Sequence, residues 1–321
     1  MSADLHAQIF AYASASADLK ILASDTSLQH DTPIKTIWKK IKSFKSNYIQ
    51  QTYHLIKSNV MITDPKEKAN ALAEYFTNNS RTRIHWIPGD VENMIEGAKL
   101  YQGNEEYNKR IGFSELEEAL ANCKDTSPGG DHISYFLLRS LPRSRKIELL
   151  NIFNQSFYLG QVPSAWKTGI VAPILKPGKG PGNVASYRPI TLLSCFGNVI
   201  EQIIKNRLEY VVEIKRLLKL ELPEQFGFRK GQGTTDILVR LEHRIQKTLE
   251  SRNISMVVYL DLRIAFYMIC GRGLIYKLVK SGISGNMIKW LDNYFESRKI
   301  QVRLDGHFFV KWTFWLVHPR E

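Results

Sequence analysis

At 321 residues the chain can bury two domain-sized cores, and its 44% hydrophobic and 11% aromatic content is that of a globular protein. Lys+Arg number 44 against 31 Asp+Glu, a net charge of +13, which favours a polyanionic partner and disfavours a basic one. Three scattered cysteines without a CxxC pair argue against a disulfide framework or zinc site, and no 18-residue apolar run or signal-type leader points to a membrane or to secretion.

In chain order, residues 1–33 are rich in Ala and Ser and read as a weakly ordered leader. The spacing of Ile37, Ile41, Phe44, Tyr48 and Leu55 predicts a basic amphipathic helix over 34–58. From Thr32 to Thr63 there is no acid, while Lys35, Lys39, Lys40, Lys42, Lys45 and Lys57 are all present. Asp64-Pro65-Lys66-Glu67 reads as a helix start, with Ala69, Leu72, Ala73 and Phe76 on one stripe. Residues 79–112 are polar and read as a linker, and Ser114-x-x-Glu117 opens a further helix.

"SPGGDHIS" (127–134) is a turn cluster, followed by a helix over 144–159 that Gly160 would stop. "GIVAPILK" (169–176) and "YRPITLL" (187–193) read as extended segments around a Gly/Pro loop. Long helices are predicted over 196–218 and 235–250, and a strand over 255–262. A helix from Ser284 to Ser297 precedes "KIQVRL-DG-HFFVKW", whose Asp305-Gly306 pair is the signal of a tight hairpin. This mixture without βαβ regularity predicts an α+β fold.

Several residues could carry chemistry. Asp261 ends the β-branched run Val257-Val258-Tyr259-Leu260, where a carboxylate can hold Mg²⁺ together with substrate phosphates. A lone Asp there is more often a turn or cap residue. Lys176, Lys179 and Arg188 flank the Gly/Pro loop inside a second acid-free window, 149–200, which also holds Lys167. They suit a triphosphate, or serve as ordinary exposed charges. Gln225, Gly227 and Arg229 in "QFGFR" read either as a packed segment or as a support for template or nucleotide. Phe266 is either core or a ring that excludes a 2′-hydroxyl sterically. No HxxxH, HxH, P-loop or G-x-S-x-G string occurs.

In this order the pieces resemble a known family. "VPSAWKTGIVAPILKPGKGPGNVASYRPITLLSCFGNVIEQIIKNRL" (162–208) resembles the fingers of reverse transcriptases from non-LTR retrotransposons, the jockey-like LINE-type elements among them. "LPEQFGFRKGQGTTD" resembles the segment that follows, "VVYLDLRIAF" the first palm motif, and "WKKIK…DPKEKANALAEYF" the stretch upstream of the polymerase. The likeness covers about residues 35–315.

The resemblance implies a right-hand polymerase-like α+β architecture without a thumb. A leader would occupy 1–33, a helical basic extension and linker 34–112, and fingers with a partial palm 113–321. It implies an RNA-directed DNA polymerase that uses Mg²⁺, an RNA template, a DNA primer and deoxynucleotide triphosphates in the nucleus or cytoplasm, without a membrane. Asp261 would be the catalytic metal ligand and Phe266 the gate against ribonucleotides. Lys176, Lys179 and Arg188 would meet the triphosphate, with Gln225, Gly227 and Arg229 nearby. Two departures stand out: Tyr267 replaces the last Asp of the family's DLxxAFD string, and Ile264 a usual Lys. No FADD or YADD string follows, so the expectation is a truncated fragment inactive by itself, with a non-catalytic RNA-binding remnant as the alternative. Oligomeric state is left open by the sequence.

Overall fold

The computed structural model describes residues 54–57, 60–79, 89–211, 225–227, 229, 231–261, 269–304 and 307–313. The expected leader and most of the expected basic helix, 34–53, lie outside the described residues, as does Phe266. The chain divides into two compact units, residues 1–208 with 266–321, and residues 209–265.

The first unit is built on a four-stranded sheet. Strand β3 (Thr168–Leu175) pairs antiparallel with β4 (Tyr187–Leu192) and parallel with β5 (Lys299–Leu304), and β5 pairs antiparallel with β6 (His307–Thr313). The spatial order is β4-β3-β5-β6. A separate small hairpin joins β1 (Leu55–Lys57) to β2 (Val60–Ile62). Leu55 therefore belongs to a strand rather than to the end of the expected helix. Its side chain is fully buried, so the apolar spacing that suggested a helix stripe was reporting burial by another route.

Helix α1 (Pro65–Asn79) starts as the sequence implies: Glu67 N–H donates to Asp64 Oδ2 at 2.9 Å, and Pro65 occupies the first turn. Its apolar stripe, Ala69, Leu72, Ala73 and Phe76, packs on one face of the sheet against Val171, Tyr187, Ile300, Val302 and Leu304, with Leu55 in the same core. Alternation along the strands puts Ala172, Ile174, Arg188, Ile190 and Arg303 on the other face. The core thus runs across the 112/113 boundary expected from sequence.

Among the described residues of this unit, the remaining α-helices are α2 (Val91–Leu100), α3 (Phe113–Asn122), α4 (Tyr135–Ser140), α5 (Arg143–Leu159), α6 (Cys195–Glu209), α8 (Gly271–Lys280) and α9 (Asn286–Phe295). Helix α2 stands where a linker was expected. Only Val91 and Ile95 are buried on it, so periodicity is faint; long-range contacts hold it instead. Arg272 of α8 binds both Glu92 of α2 and Asp292 of α9, and Lys99 also binds Asp292. Helix α8 gave no signal in the sequence reading. Helix α3 is capped two residues earlier than Ser114 implies, by Gly112 N–H donating to Glu115 Oε2 at 2.8 Å. Helix α5 ends at Gly160 in the left-handed region, φ 64°, as expected.

The second unit carries helix α7 (Thr234–Glu250), within a residue of its expected start. The strand expected over 255–262 does not form: residues 253–261 carry no regular structure. Val258, Tyr259 and Leu260 are largely exposed there. A β-branched run becomes a strand only when a neighbouring strand accepts its N–H and C=O groups, and none of the described residues does so.

Candidate functional site

The β3–β4 hairpin brings three of the sequence-predicted residues together. Lys176 follows β3, Lys179 lies in the connecting loop and Arg188 is the second residue of β4, paired across the ladder with Ile174. The loop is shaped by its own sequence. Lys176-Pro177-Gly178-Lys179 forms a tight turn, closed by Lys179 N–H donating to Lys176 O at 3.2 Å, with Gly178 at φ 72°. Pro at the second position and Gly with positive φ at the third are what a type II turn demands.

Further bonds make the loop a built structure. Lys176 N–H donates to Ser186 O at 2.8 Å, and Ala185 N–H to Asn183 Oδ1 at 2.8 Å. Tyr187, almost fully buried, donates its hydroxyl to Pro181 O at 2.9 Å. From outside the hairpin, Ile56 N–H of β1 donates to Gly182 O at 2.7 Å.

The four cations of the acid-free window divide into two kinds. Lys167 is buried, and Nζ donates to Asn293 Oδ1 at 2.9 Å. Burial holds its pKa below the usual lysine value, with Glu296 opposing. Lys176 Nζ is half-buried and donates to Ala185 O at 2.7 Å, tying one side of the loop to the other. Lys179 and Arg188 are exposed, and among the described residues neither side chain has a hydrogen-bond or ion-pair partner. The outward charge of the hairpin is therefore theirs.

Of the other sequence-predicted residues, Phe266 lies outside the described residues, and Gln225, Gly227, Arg229 and Asp261 lie in the second unit. Asp261 is exposed at the end of the irregular segment. Gln225 Nε2 donates to Gly227 O at 3.4 Å, and both residues are exposed. Phe226 between them is buried, with the Arg240 guanidinium 4.8 Å from its ring centroid. Arg229 is partly buried. As an exposed carboxylate Asp261 suits a hard cation such as Mg²⁺, which takes one or two protein carboxylates beside waters and phosphates. Among the described residues no group of three His, Cys, Asp or Glu is placed to hold a metal by itself.

Two arrangements escaped the sequence reading. Asp131 of the "SPGGDHIS" cluster accepts from Ser194 Oγ at 2.6 Å and from Ile133 N–H at 3.1 Å, fastening that loop to the end of β4. Gly129 lies so close that an added Cβ would sit 2.6 Å from the Leu193–Ser194 backbone. Arg207 of α6 donates from Nε and Nη2 to Glu115 at 2.7 and 2.8 Å, and also reaches the carbonyls of Tyr107, Lys109 and Arg110. Burial would raise the Glu115 carboxyl, but Arg207 and Gly112 N–H outweigh it and hold it below its ordinary value. An Arg in the last turn of an apolar helix gives no hint of five such bonds, because its partners are about 90 to 100 residues away.

Residues 174–317, which begin at the end of β3 and include the β3–β4 loop and β4, match the family described as reverse transcriptase (RNA-dependent DNA polymerase). The chain is 34% identical over 198 residues to the RNA-directed DNA polymerase from mobile element jockey of Drosophila funebris, covering 61% of this chain and 21% of that protein. It is 29% identical over 280 residues to the probable RNA-directed DNA polymerase from transposon BS of Drosophila melanogaster, covering 86% of this chain and 30% of that protein. A third relative is the probable RNA-directed DNA polymerase from transposon X-element of Drosophila melanogaster, 34% identical over 188 residues, 58% of this chain and 20% of the relative. The chain thus spans about a fifth to a third of the length of these relatives. No helix of the described residues is long and apolar enough to cross a membrane.

Proposed function

On the premise that residues 174–317 belong to the reverse transcriptase family, in its non-LTR retrotransposon branch, we propose that this chain supplies the triphosphate-facing part of an RNA-directed DNA polymerase. The observation that carries this reading is the built hairpin with two outward, unpartnered cations, Lys179 and Arg188, inside the matched segment. A deoxynucleotide triphosphate carries about four negative charges, and fixed cations lower the cost of bringing it to a primer end. Arg188 offers a planar fork for phosphate oxygens, and Lys179 a point charge at the loop tip.

Lys176 has a different part in this reading: it braces the loop, and only on exchanging Ala185 O for a phosphate would it join the other two. Asp261 would hold Mg²⁺, which when bound neutralises phosphate charge and activates the attacking hydroxyl. Phe266 would stand against the sugar and exclude a ribonucleotide. Gln225, Gly227 and Arg229 would border the template or nucleotide. Residues 113–321 would be fingers and part of a palm, with an RNA template and DNA primer as partners.

The test is equilibrium binding of Mg²⁺–dTTP to the full 321-residue chain, wild type against Lys179→Ala/Arg188→Ala. The double variant should lose about tenfold or more in affinity, on the scale of two charge-assisted contacts. Unchanged affinity, or no binding by the wild type, overturns the reading. A second reading, an RNA-binding module without catalysis, is favoured by the net charge of +13 and the two acid-free windows. It requires RNA affinity that falls steeply with salt while dTTP binding is absent.

A further inference from the structure

We propose that the β1–β2 hairpin is a strap for the basic loop, and that Ile56 and Tyr187 are positioning residues for the triphosphate-facing cations. This inference rests on the reading of Lys179 and Arg188 given above, but the strap itself is argued from geometry alone.

The loop between β3 and β4 runs from Lys176 to Ser186 and leaves the sheet at its edge. Near its start the type II turn orders residues 176–179, and near its end Asn183 and Ser186 order residues 183–186. Pro181 and Gly182 lie between these two ordered pieces. Each has its carbonyl held by a group outside the loop: Pro181 O accepts from the Tyr187 hydroxyl at 2.9 Å, and Gly182 O from Ile56 N–H at 2.7 Å. Exposed Gly-rich backbone would otherwise sample many conformations, because Gly loses more freedom on ordering than any other residue.

Three features make Ile56 more than an incidental neighbour. Its N–H is spent on the loop, while Ile56 is itself paired with Met61 in the β1–β2 ladder. Its side chain lies over Gly182, where an added Cβ would be 3.4 Å from Ile56 Cδ1. The preceding residue, Leu55, is fully buried in the core shared by α1 and the sheet, so the strap is anchored to the same body that carries β3 and β4. Tyr187 completes the arrangement, since its buried ring belongs to that core while its hydroxyl reaches the loop. The strap thus lies about 120 residues upstream of the match to the polymerase family, yet fixes the loop on which Lys179 sits.

The test compares wild type, Ile56→Val, Ile56→Pro and Tyr187→Phe in the full chain by two readouts. The first is the rate of limited trypsin cleavage at Lys179–Gly180; Lys176 is followed by Pro and is resistant. The second is Mg²⁺–dTTP affinity beside affinity for an RNA oligonucleotide. Ile56→Val keeps the N–H and should match wild type. Ile56→Pro removes it and should raise cleavage at Lys179 about three- to tenfold, weaken dTTP by a similar factor and leave RNA affinity unchanged. Tyr187→Phe should do the same more weakly, and it decides the matter should Ile56→Pro not fold. Equal cleavage in all four proteins overturns the strap. Equal weakening of dTTP and RNA overturns the positioning role. Absence of dTTP binding in the wild type overturns the functional reading instead, while the cleavage rates still judge the strap.

Discussion

Leu72→Ala tests whether helix α1 is part of the sheet's body. Leu72 is fully buried on α1, in the core formed with Phe76, Val171, Tyr187 and Val302. Truncation removes three buried carbons, worth about 2.4 kcal/mol at roughly 0.8 kcal/mol each. The vacated volume adds a cavity term, because the strands can close only partly, bringing the expected loss to about 3–5 kcal/mol. Urea unfolding reads the loss, and Met61→Ala, at a position 62% exposed, serves as the control and should change stability by less than about 0.5 kcal/mol. Hydrogen exchange then locates the damage. With one shared core, amides of β3 and β5 must exchange faster along with those of α1. Faster exchange confined to residues 65–79, with β3 and β5 protected as before, would refute the shared core and weaken the case for the strap.

Three further outcomes are expected. Arg207→Met should cost about 2–3 kcal/mol in urea unfolding, since it strands Glu115 and three carbonyls, and the partial exposure of Glu115 trims the full cost of an orphaned charge. The Glu115 carboxyl is depressed in the folded chain, so its contribution is complete above its ordinary value of 4.5 and lost as pH falls through the folded value. The stability gap between wild type and Glu115→Gln, followed by urea midpoints from pH 7 to 3, should therefore shrink only as pH falls below 4.5; a constant gap would count against the pairing. Gly160→Ala should lower stability by at least about 1–2 kcal/mol, because φ is 64° and the new Cβ would stand 2.6 Å from Lys289 Cβ of α9; an unchanged melting curve would contradict that close approach.

The sequence was most readable where the signal is local. Asp64-Pro65-x-Glu67 marked the start of α1, Gly160 the end of α5, and the alternation around Asp305-Gly306 the β5–β6 pair. It was least readable where partners are remote. Helix α2 buries two side chains and is fixed by Arg272, some 180 residues away. Strand β1 has three residues, too few for any period to show, and its pairing and its bond to Gly182 are decided elsewhere in the chain. The run before Asp261 failed for the converse reason. Its residues favour a strand, but propensity only describes how well a side chain fits a pleated, half-buried surface, and the described residues offer it none.

The candidate site illustrates a further limit on composition. The acid-free window 149–200 contains Lys167, Lys176, Lys179 and Arg188, and by charge alone each is an equal candidate for a phosphate. The fold separates them by what each ammonium or guanidinium already holds. Lys167 is committed to Asn293 in the interior, where its lowered pKa reflects burial. Lys176 is committed to Ala185 across the loop. A cation that already donates to a fixed carbonyl must give up that bond to take a phosphate, whereas an exposed one exchanges only water. The affinity of the hairpin for a triphosphate should therefore follow Lys179 and Arg188 first. Lys176→Ala should act mainly through the shape of the loop, and so raise trypsin cleavage at Lys179 in the same way as loss of the Ile56 N–H.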